Sequence, residues 1–100
     1  MNSNLHVDET VIRQFCRKWR IRELSLFGSA LRDDFNPQSD FDFLVSFEPE
    51  ATWDLFDLIA MKTEMETLCG RPVDLVEEEA LRNPWRKKNI LETRRLIYAA

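Results

Sequence analysis

The chain contains 100 residues, of which 44% are hydrophobic and 32% are charged, and its formal net charge is −4. This balance is typical of one small globular domain and excludes a disordered chain. The acidic charge argues against free-standing nucleic-acid binding, which usually needs a basic face. No segment resembles a signal peptide or a membrane span. We therefore expect a single domain over residues 1–100 that is soluble and cytoplasmic, with no nucleic-acid or membrane partner.

Apolar periodicity predicts helices and strands that alternate along the chain. In chain order the predicted elements are a helix at 9–19 capped by Asp8, a strand at 21–27, a short helix at 28–35, a turn at 36–39, a strand at 40–47, a long helix within 51–69 that stops at Gly70, a strand at 71–77 and a closing helix at 84–99. The first two strands are joined too briefly for a full crossover, which disfavours a parallel doubly wound sheet. The order predicts an α/β (α+β) domain with helices packed on one face of a small sheet and the opposite face open.

The two later helices have apolar residues that we expect to face the core. In the long helix these are Leu55, Phe56, Ile59, Met65 and Leu68, and in the closing helix they are Trp85, Ile90, Leu91 and Ile97. Trp53 and Trp85 are interpreted as core residues, with a role as partner anchors as the alternative. Cys16 and Cys69 lie in helical patterns without a CxxC or Cys/His cluster, so we expect buried free thiols rather than a disulfide or a metal site.

Two aspartates, Asp40 and Asp42, lie two residues apart in a predicted strand, so their side chains leave the same face of the sheet. Asp74 interrupts another apolar strand and is a third candidate for that face. The three carboxylates are either solvated or neutralised by a cation, because like charges this close repel each other by about 3 kcal/mol at an effective dielectric near 20. Carboxylate and phosphate oxygens are the ligands that Mg²⁺ prefers. The pattern thus indicates a candidate site for phosphoryl or nucleotidyl transfer.

Gly28 and Ser29 follow the first predicted strand. They are interpreted either as an ordinary strand-to-helix turn or as a turn whose backbone N–H groups and hydroxyl hold a phosphate. Arg32 lies one helical turn further on and is a candidate partner of a phosphate or of a nearby aspartate. The basic residues of 82–95 form either a solvated helix face or a contact with phosphates or with an acidic part of a partner.

The segment LFGSALRDDFNPQSDFDFLVSF, residues 26–47, resembles the polymerase-β-like nucleotidyltransferases. It contains their GSx10DxD signature at Gly28-Ser29 and Asp40-Phe41-Asp42, and it is most similar to the minimal nucleotidyltransferase, or MNT, domains. The similarity continues through RPVDLVEEEAL and the closing segment. The chain departs from the family at position 33, where it has Asp33 and family members often have glycine.

The resemblance implies a mixed sheet with flanking helices, ATP as substrate and Mg²⁺ as cofactor. It implies that Asp40, Asp42 and Asp74 are catalytic and hold the metal, and that Gly28 and Ser29 hold the triphosphate. It also implies an antitoxin that transfers AMP to a tyrosine of a HEPN-domain RNase toxin, in a hetero-oligomer with that toxin. The alternatives are a binding module that silences the toxin by complex formation alone, and a glycosyltransferase DxD site, for which this chain is too short.

Overall fold

The computed structural model describes residues 7–28 and 40–100, which form a four-stranded mixed sheet with three helices. The elements, in chain order, are α1 (Glu9–Lys18), β1 (Ile21–Phe27), β2 (Phe41–Phe47), α2 (Leu55–Cys69), β3 (Val73–Glu77), a 3₁₀ turn (Glu78–Ala80), α3 (Pro84–Thr93) and β4 (Arg95–Ala99). The strand order is β3-β2-β1-β4. β1 is antiparallel to both β2 and β4, and β3 is parallel to β2. The predicted α+β class and mixed sheet are confirmed, whereas the predicted elements at 28–35 and 36–39 lie outside the described residues, apart from Gly28.

Side-chain caps and a glycine set the helix ends. Asp8 accepts a hydrogen bond from the Thr10 N–H at 2.7 Å and starts α1. Asp54 and Asp57 form a reciprocal capping box at the start of α2. Gly70 ends α2 with a φ of +72°, in the left-handed region where glycine is favoured. Among the described residues, no helix combines the length and apolar character needed to cross a membrane.

The main core lies between the sheet and the pair α1 and α2. Its buried side chains are Ile12, Phe15, Cys16, Trp19, Ile21, Leu24, Leu26, Phe41, Phe43, Val45, Met61, Met65 and Val73. Trp53 covers one end of this core. Its ring packs edge-on against the Trp19 ring with the two centroids 5.2 Å apart, and its Nε1–H donates to the Trp19 carbonyl at 2.7 Å. Trp53 therefore packs against the core, in agreement with the prediction.

Both cysteines are free thiols, and Cys16 is buried as predicted, whereas Cys69 is only half-buried. Cys16 is fully buried and burial raises the pKa of its thiol to about 12. Burial likewise raises the pKa of Cys69 to about 11, although the nearby Arg71 charge opposes this shift. Neither side chain is therefore a thiolate at neutral pH.

The opposite face of the sheet is partly covered, contrary to the prediction that helices pack on one face only. Ile90 of α3 is 5% exposed and packs with Phe27 and Leu44 on that face. The covering segment is short, because α3 ends at Thr93 and the chain then continues as β4. The prediction of one closing helix over 84–99 was therefore wrong in its second half.

Several apolar side chains that we expected in the core are exposed. On α2, the core residues are Met61 and Met65, while Leu55, Phe56 and Ile59 are 68%, 80% and 53% exposed. Trp85 of α3 is 79% exposed, so its predicted core position was also wrong. Met65 was placed correctly, and Leu68, Leu91 and Ile97 are partly buried against the two clusters.

Candidate active site

The centre of the candidate site is Asp42, which lies where β1, β2 and β3 come together. In the antiparallel pairing Asp42 is opposite Phe27, the last residue of β1, and in the parallel pairing it is opposite Asp74 of β3. Directly opposed residues on neighbouring strands point to the same face about 4.8 Å apart. The structure therefore brings Asp42 and Asp74 together side by side, as the sequence predicted.

The two carboxylates occupy the face of the sheet away from the main core. The neighbours of Asp42 on β2, Phe41 and Phe43, both point into the main core, so the alternation of a strand directs Asp42 to the other face. One step along, Leu44 is paired with Val76, and both belong to the second apolar cluster. The acidic pair thus borders the patch that α3 covers.

Asp40 precedes β2 by one residue and is exposed, whereas Asp42 is half-buried. Burial, followed by the charges of Asp74 and Asp40, raises the pKa of Asp42 above its ordinary value of 3.8. The three aspartates therefore interact electrostatically with Asp42 at the centre. This is the arrangement in which a cation would relieve the most repulsion.

Gly28 lies against the Asp42 carboxylate. Its φ is +75°, and a Cβ added to it would meet Asp42, with the carboxyl carbon at 3.3 Å and a carboxylate oxygen closer still. A side chain at position 28 would therefore compete with Asp42 for the same space. Only glycine therefore lets the end of β1 approach the carboxylate this closely.

Among the described residues, Arg86 is a basic residue whose charge acts on this cluster. It is on α3 one helical turn before Ile90, which is buried against Phe27 and Leu44, and residues four apart share a helix face. In agreement with that placement, the Arg86 charge lowers the pKa of Asp42, against the larger effects of burial and of the two aspartates. Sequence analysis grouped Arg86 with the other basic residues of 82–95. Its spacing from Ile90 becomes informative only once the packing of Ile90 against Phe27 and Leu44 is known.

Ser29 and Arg32, the predicted triphosphate-binding residues besides Gly28, lie outside the described residues. Within residues 7–28 and 40–100, no three acidic, histidine or cysteine side chains are grouped closely enough to hold a metal ion. The chemistry of the donors nevertheless suits Mg²⁺, because Asp40 and Asp74 are carboxylates whose charges both act on the half-buried Asp42. Asp40, Asp42 and Asp74 are the residues that would hold the ion.

The chain belongs to the family described as nucleotidyltransferase domain, whose model matches residues 8–97. A Methanocaldococcus jannaschii protein provisionally named a protein adenylyltransferase is 36% identical over 81 residues, which cover 81% of this chain and 79% of that protein. The protein adenylyltransferase MntA of Thermococcus cleftensis is 32% identical over 71 residues, 71% of this chain and 70% of that protein. The predicted nucleotidyltransferase family is confirmed.

Solved structures show the same fold. One provisionally assigned as a minimal nucleotidyltransferase has a TM-score of 0.68 at 30% identity and covers 90% of this chain and 96% of its own. A toxin–antitoxin structure with AMP-PNP has a TM-score of 0.74 at 18% identity, with 94% and 75% coverage. The Shewanella oneidensis complex of a tri-AMPylated HEPN toxin with its MNT antitoxin has a TM-score of 0.65 at 18% identity, with 92% and 70% coverage. The predicted minimal nucleotidyltransferase fold is confirmed.

Proposed function

We propose that this single nucleotidyltransferase domain is a Mg²⁺-dependent protein adenylyltransferase. Its substrate is ATP, and its acceptor is a tyrosine hydroxyl of a HEPN-domain RNase toxin, which the transfer of AMP neutralises. The relatives named as protein adenylyltransferases support the reaction, and the complexes of similar fold with a HEPN toxin and with AMP-PNP support the partner and the nucleotide. The observation that carries the proposal is the half-buried Asp42, which is paired with Asp74 and lies in close contact with Gly28.

The residues divide into an acidic side and a phosphate side. Asp40, Asp42 and Asp74 hold Mg²⁺, which when bound neutralises triphosphate charge and makes the acceptor hydroxyl easier to ionise. Gly28 and Ser29 contact the triphosphate through backbone N–H groups and a hydroxyl. Arg32 and Arg86 add positive charge on that side.

The transfer is a displacement at the α-phosphorus. The tyrosine oxygen forms a bond to the α-phosphorus, the bond from that phosphorus to the bridging oxygen of the β-phosphate breaks, and pyrophosphate leaves. Asp74 accepts the proton of the hydroxyl, and the guanidinium of Arg86 stabilises charge on the phosphates in the transition state. Asp42, which is paired with Asp74 and in contact with Gly28, is the carboxylate that would hold the metal at the centre of the site.

Intact mass spectrometry tests this function. The chain is incubated with ATP, Mg²⁺ and a candidate HEPN-domain protein from the same genome, and the acceptor is expected to gain one or more AMP masses, located on a tyrosine by fragmentation. Asp42→Asn should abolish the gain, whereas Glu92→Gln, which removes an exposed carboxylate of α3, should not. A tight complex that silences the toxin without any gain in mass would instead establish a binding module.

A further inference from the structure

A groove of about 460 Å³ runs along the outer edge of the sheet between α2 and β3. One wall is formed by Leu58, Ile59 and Lys62 of α2, and the other by Asp74, Leu75 and Glu77 of β3. Asp74 lines the groove and is also paired with Asp42, so β3 is shared by the groove and the candidate active site. An occupant that follows the outer edge of β3 is therefore one strand away from Asp42.

The backbone of β3 faces the groove with hydrogen-bonding groups. The carbonyl of Pro72 accepts from the Phe41 N–H of β2 at 3.1 Å, so alternate residues from Pro72 onward point toward β2. The intervening residues point outward, and Glu66 of α2 accepts the first outward donor, the Val73 N–H, at 3.0 Å. The next outward groups are the N–H and C=O of Leu75 and the N–H of Glu77, which face away from β2 because β3 is an edge strand of the described sheet. The carbonyl of Glu77 belongs to the 3₁₀ turn that follows.

An apolar stripe on α2 extends from the same groove. Leu55, Phe56 and Ile59 are each more than half exposed. They share one helix face, because they are spaced three and four residues apart. Exposed apolar side chains grouped in this way mark an interaction surface.

The charges around the stripe are mainly acidic. Asp54 and Asp57 flank it at the start of α2, and Asp74 and Glu77 line the strand side of the groove, against the single basic residue Lys62. Charge complementarity therefore favours an occupant with apolar side chains flanked by lysine or arginine.

We propose that the groove binds an extended, apolar segment of the acceptor protein with basic flanks, which adds to the outer edge of β3 as a further strand. Main-chain hydrogen bonds to Leu75 and Glu77 supply affinity, and alternate side chains of the segment pack against Leu58 and Ile59. The segment passes Asp74, which places a hydroxyl of the acceptor beside the site. This inference rests on the proposed function, because it assigns the surface that holds the protein acceptor.

The first test compares two matched substitutions. Ile59→Asp puts a charge into the groove, and Leu96→Asp does the same on β4 at the opposite edge of the sheet, where the side chain is 49% exposed against 53% for Ile59. With the HEPN-domain protein as acceptor, Ile59→Asp is expected to raise the KM for the acceptor by about tenfold or more. Leu96→Asp should leave it within about twofold, and the thermal shift with Mg²⁺ and ATP should be equal in both variants and the wild type.

Equal KM values for Ile59→Asp and the wild type would overturn the proposal that the groove binds the acceptor. A change in oligomeric state on light scattering with an unchanged KM would assign the stripe to a second copy, which also overturns it. If the wild type transfers no AMP, the proposed function fails separately. A binding titration of the same proteins then decides the groove, since an equal Kd for the wild type and Ile59→Asp rejects it.

Amide hydrogen exchange tests the mode of docking. In the complex with the acceptor and without ATP, the amides of Leu75 and Glu77 should exchange more slowly than in the free chain. The amides of Asp74 and Val76, which point toward β2, should change much less. Protection on α2 without slowing at Leu75 and Glu77 would contradict strand addition, because the acceptor would then contact the helix alone.

Discussion

The backbone of Gly28 is in close contact with the side chain of Asp42, since a Cβ at residue 28 would lie against the Asp42 carboxylate. Gly28→Ala should therefore do two kinds of damage. The left-handed φ of +75° costs about 1–2 kcal/mol for a residue with a side chain, and displacement of Asp42 should lower AMP transfer by about 100-fold. Chemical denaturation and initial rates measure the two effects separately.

Gly70→Ala is the matched control for that substitution. Gly70 has a similar φ of +72°, but nothing lies within 4 Å of a Cβ added there. It should lose about the same stability, 1–2 kcal/mol, and keep its activity. If Gly28→Ala retained the activity of Gly70→Ala, the contact between Gly28 and Asp42 would not matter for transfer.

The ionised form of Asp42 destabilises the fold. Because its pKa is raised in the folded state, the folded chain favours the protonated form, and stability falls as pH rises above the ordinary value of 3.8. Asp42→Asn should therefore raise the Tm at pH 7 and lose this advantage below pH 3.8. A domain of this size shifts by about 4–8 °C per kcal/mol, so calorimetry resolves the effect. A lower Tm for Asp42→Asn at pH 7 would contradict the assignment.

Binding of Mg²⁺ and ATP should stabilise the wild type. A ligand at about 100 times its Kd adds about 2.7 kcal/mol to the free energy of unfolding. The double variant Asp40→Asn/Asp42→Asn should show no shift, whereas Glu92→Gln should shift like the wild type. Differential scanning fluorimetry with Mg²⁺ alone, ATP alone and both together provides the measurement. An equal shift in the double variant would place the nucleotide elsewhere.

Arg86 should contribute to the binding of the triphosphate. A hydrogen bond to a charged group contributes about 1.5–3 kcal/mol, so Arg86→Ala should lower kcat/KM for ATP by about 10- to 100-fold. Lys88→Ala is the control, because Lys88 is exposed on the same helix with its Nζ 3.9 Å from Glu92 Oε1. Steady-state kinetics with the HEPN-domain protein at saturation compare the two. Equal losses in both variants would indicate a general charge effect.

Strand alternation predicted that the aspartates share one face of the sheet, whereas the register of β2 and β3 places Asp42 opposite Asp74. Asp42 and Asp74 each interrupt an apolar strand, and a period of two leaves only one face for them. The basic half depends on how α3 is seated on the sheet. Arg86 meets Asp42 because Ile90 is buried against Phe27 and Leu44, and that packing is a tertiary choice which local periodicity does not encode.

The errors in the fold have similar physical causes. Apolar residues occur on all faces of α2, so the sequence pattern could not show that Met61 and Met65, rather than Leu55 and Ile59, face the core. The segment after Thr93 has helix-compatible residues, but pairing of β4 with β1 extends it. On β1, Ile21 joins the main core with Leu24 although strict alternation separates them, because a bulge shifts the register between Ile21 and Glu23.

The pairing of Leu24 in β1 with Tyr98 in β4 also bears on how the molecule is made. β4 is the last strand of the chain, and without it one edge of β1 would lack a neighbour. Contacts so distant along the chain form slowly, and an open edge invites pairing between molecules. The C-terminal strand therefore completes the sheet and also shields β1 from pairing with a second molecule.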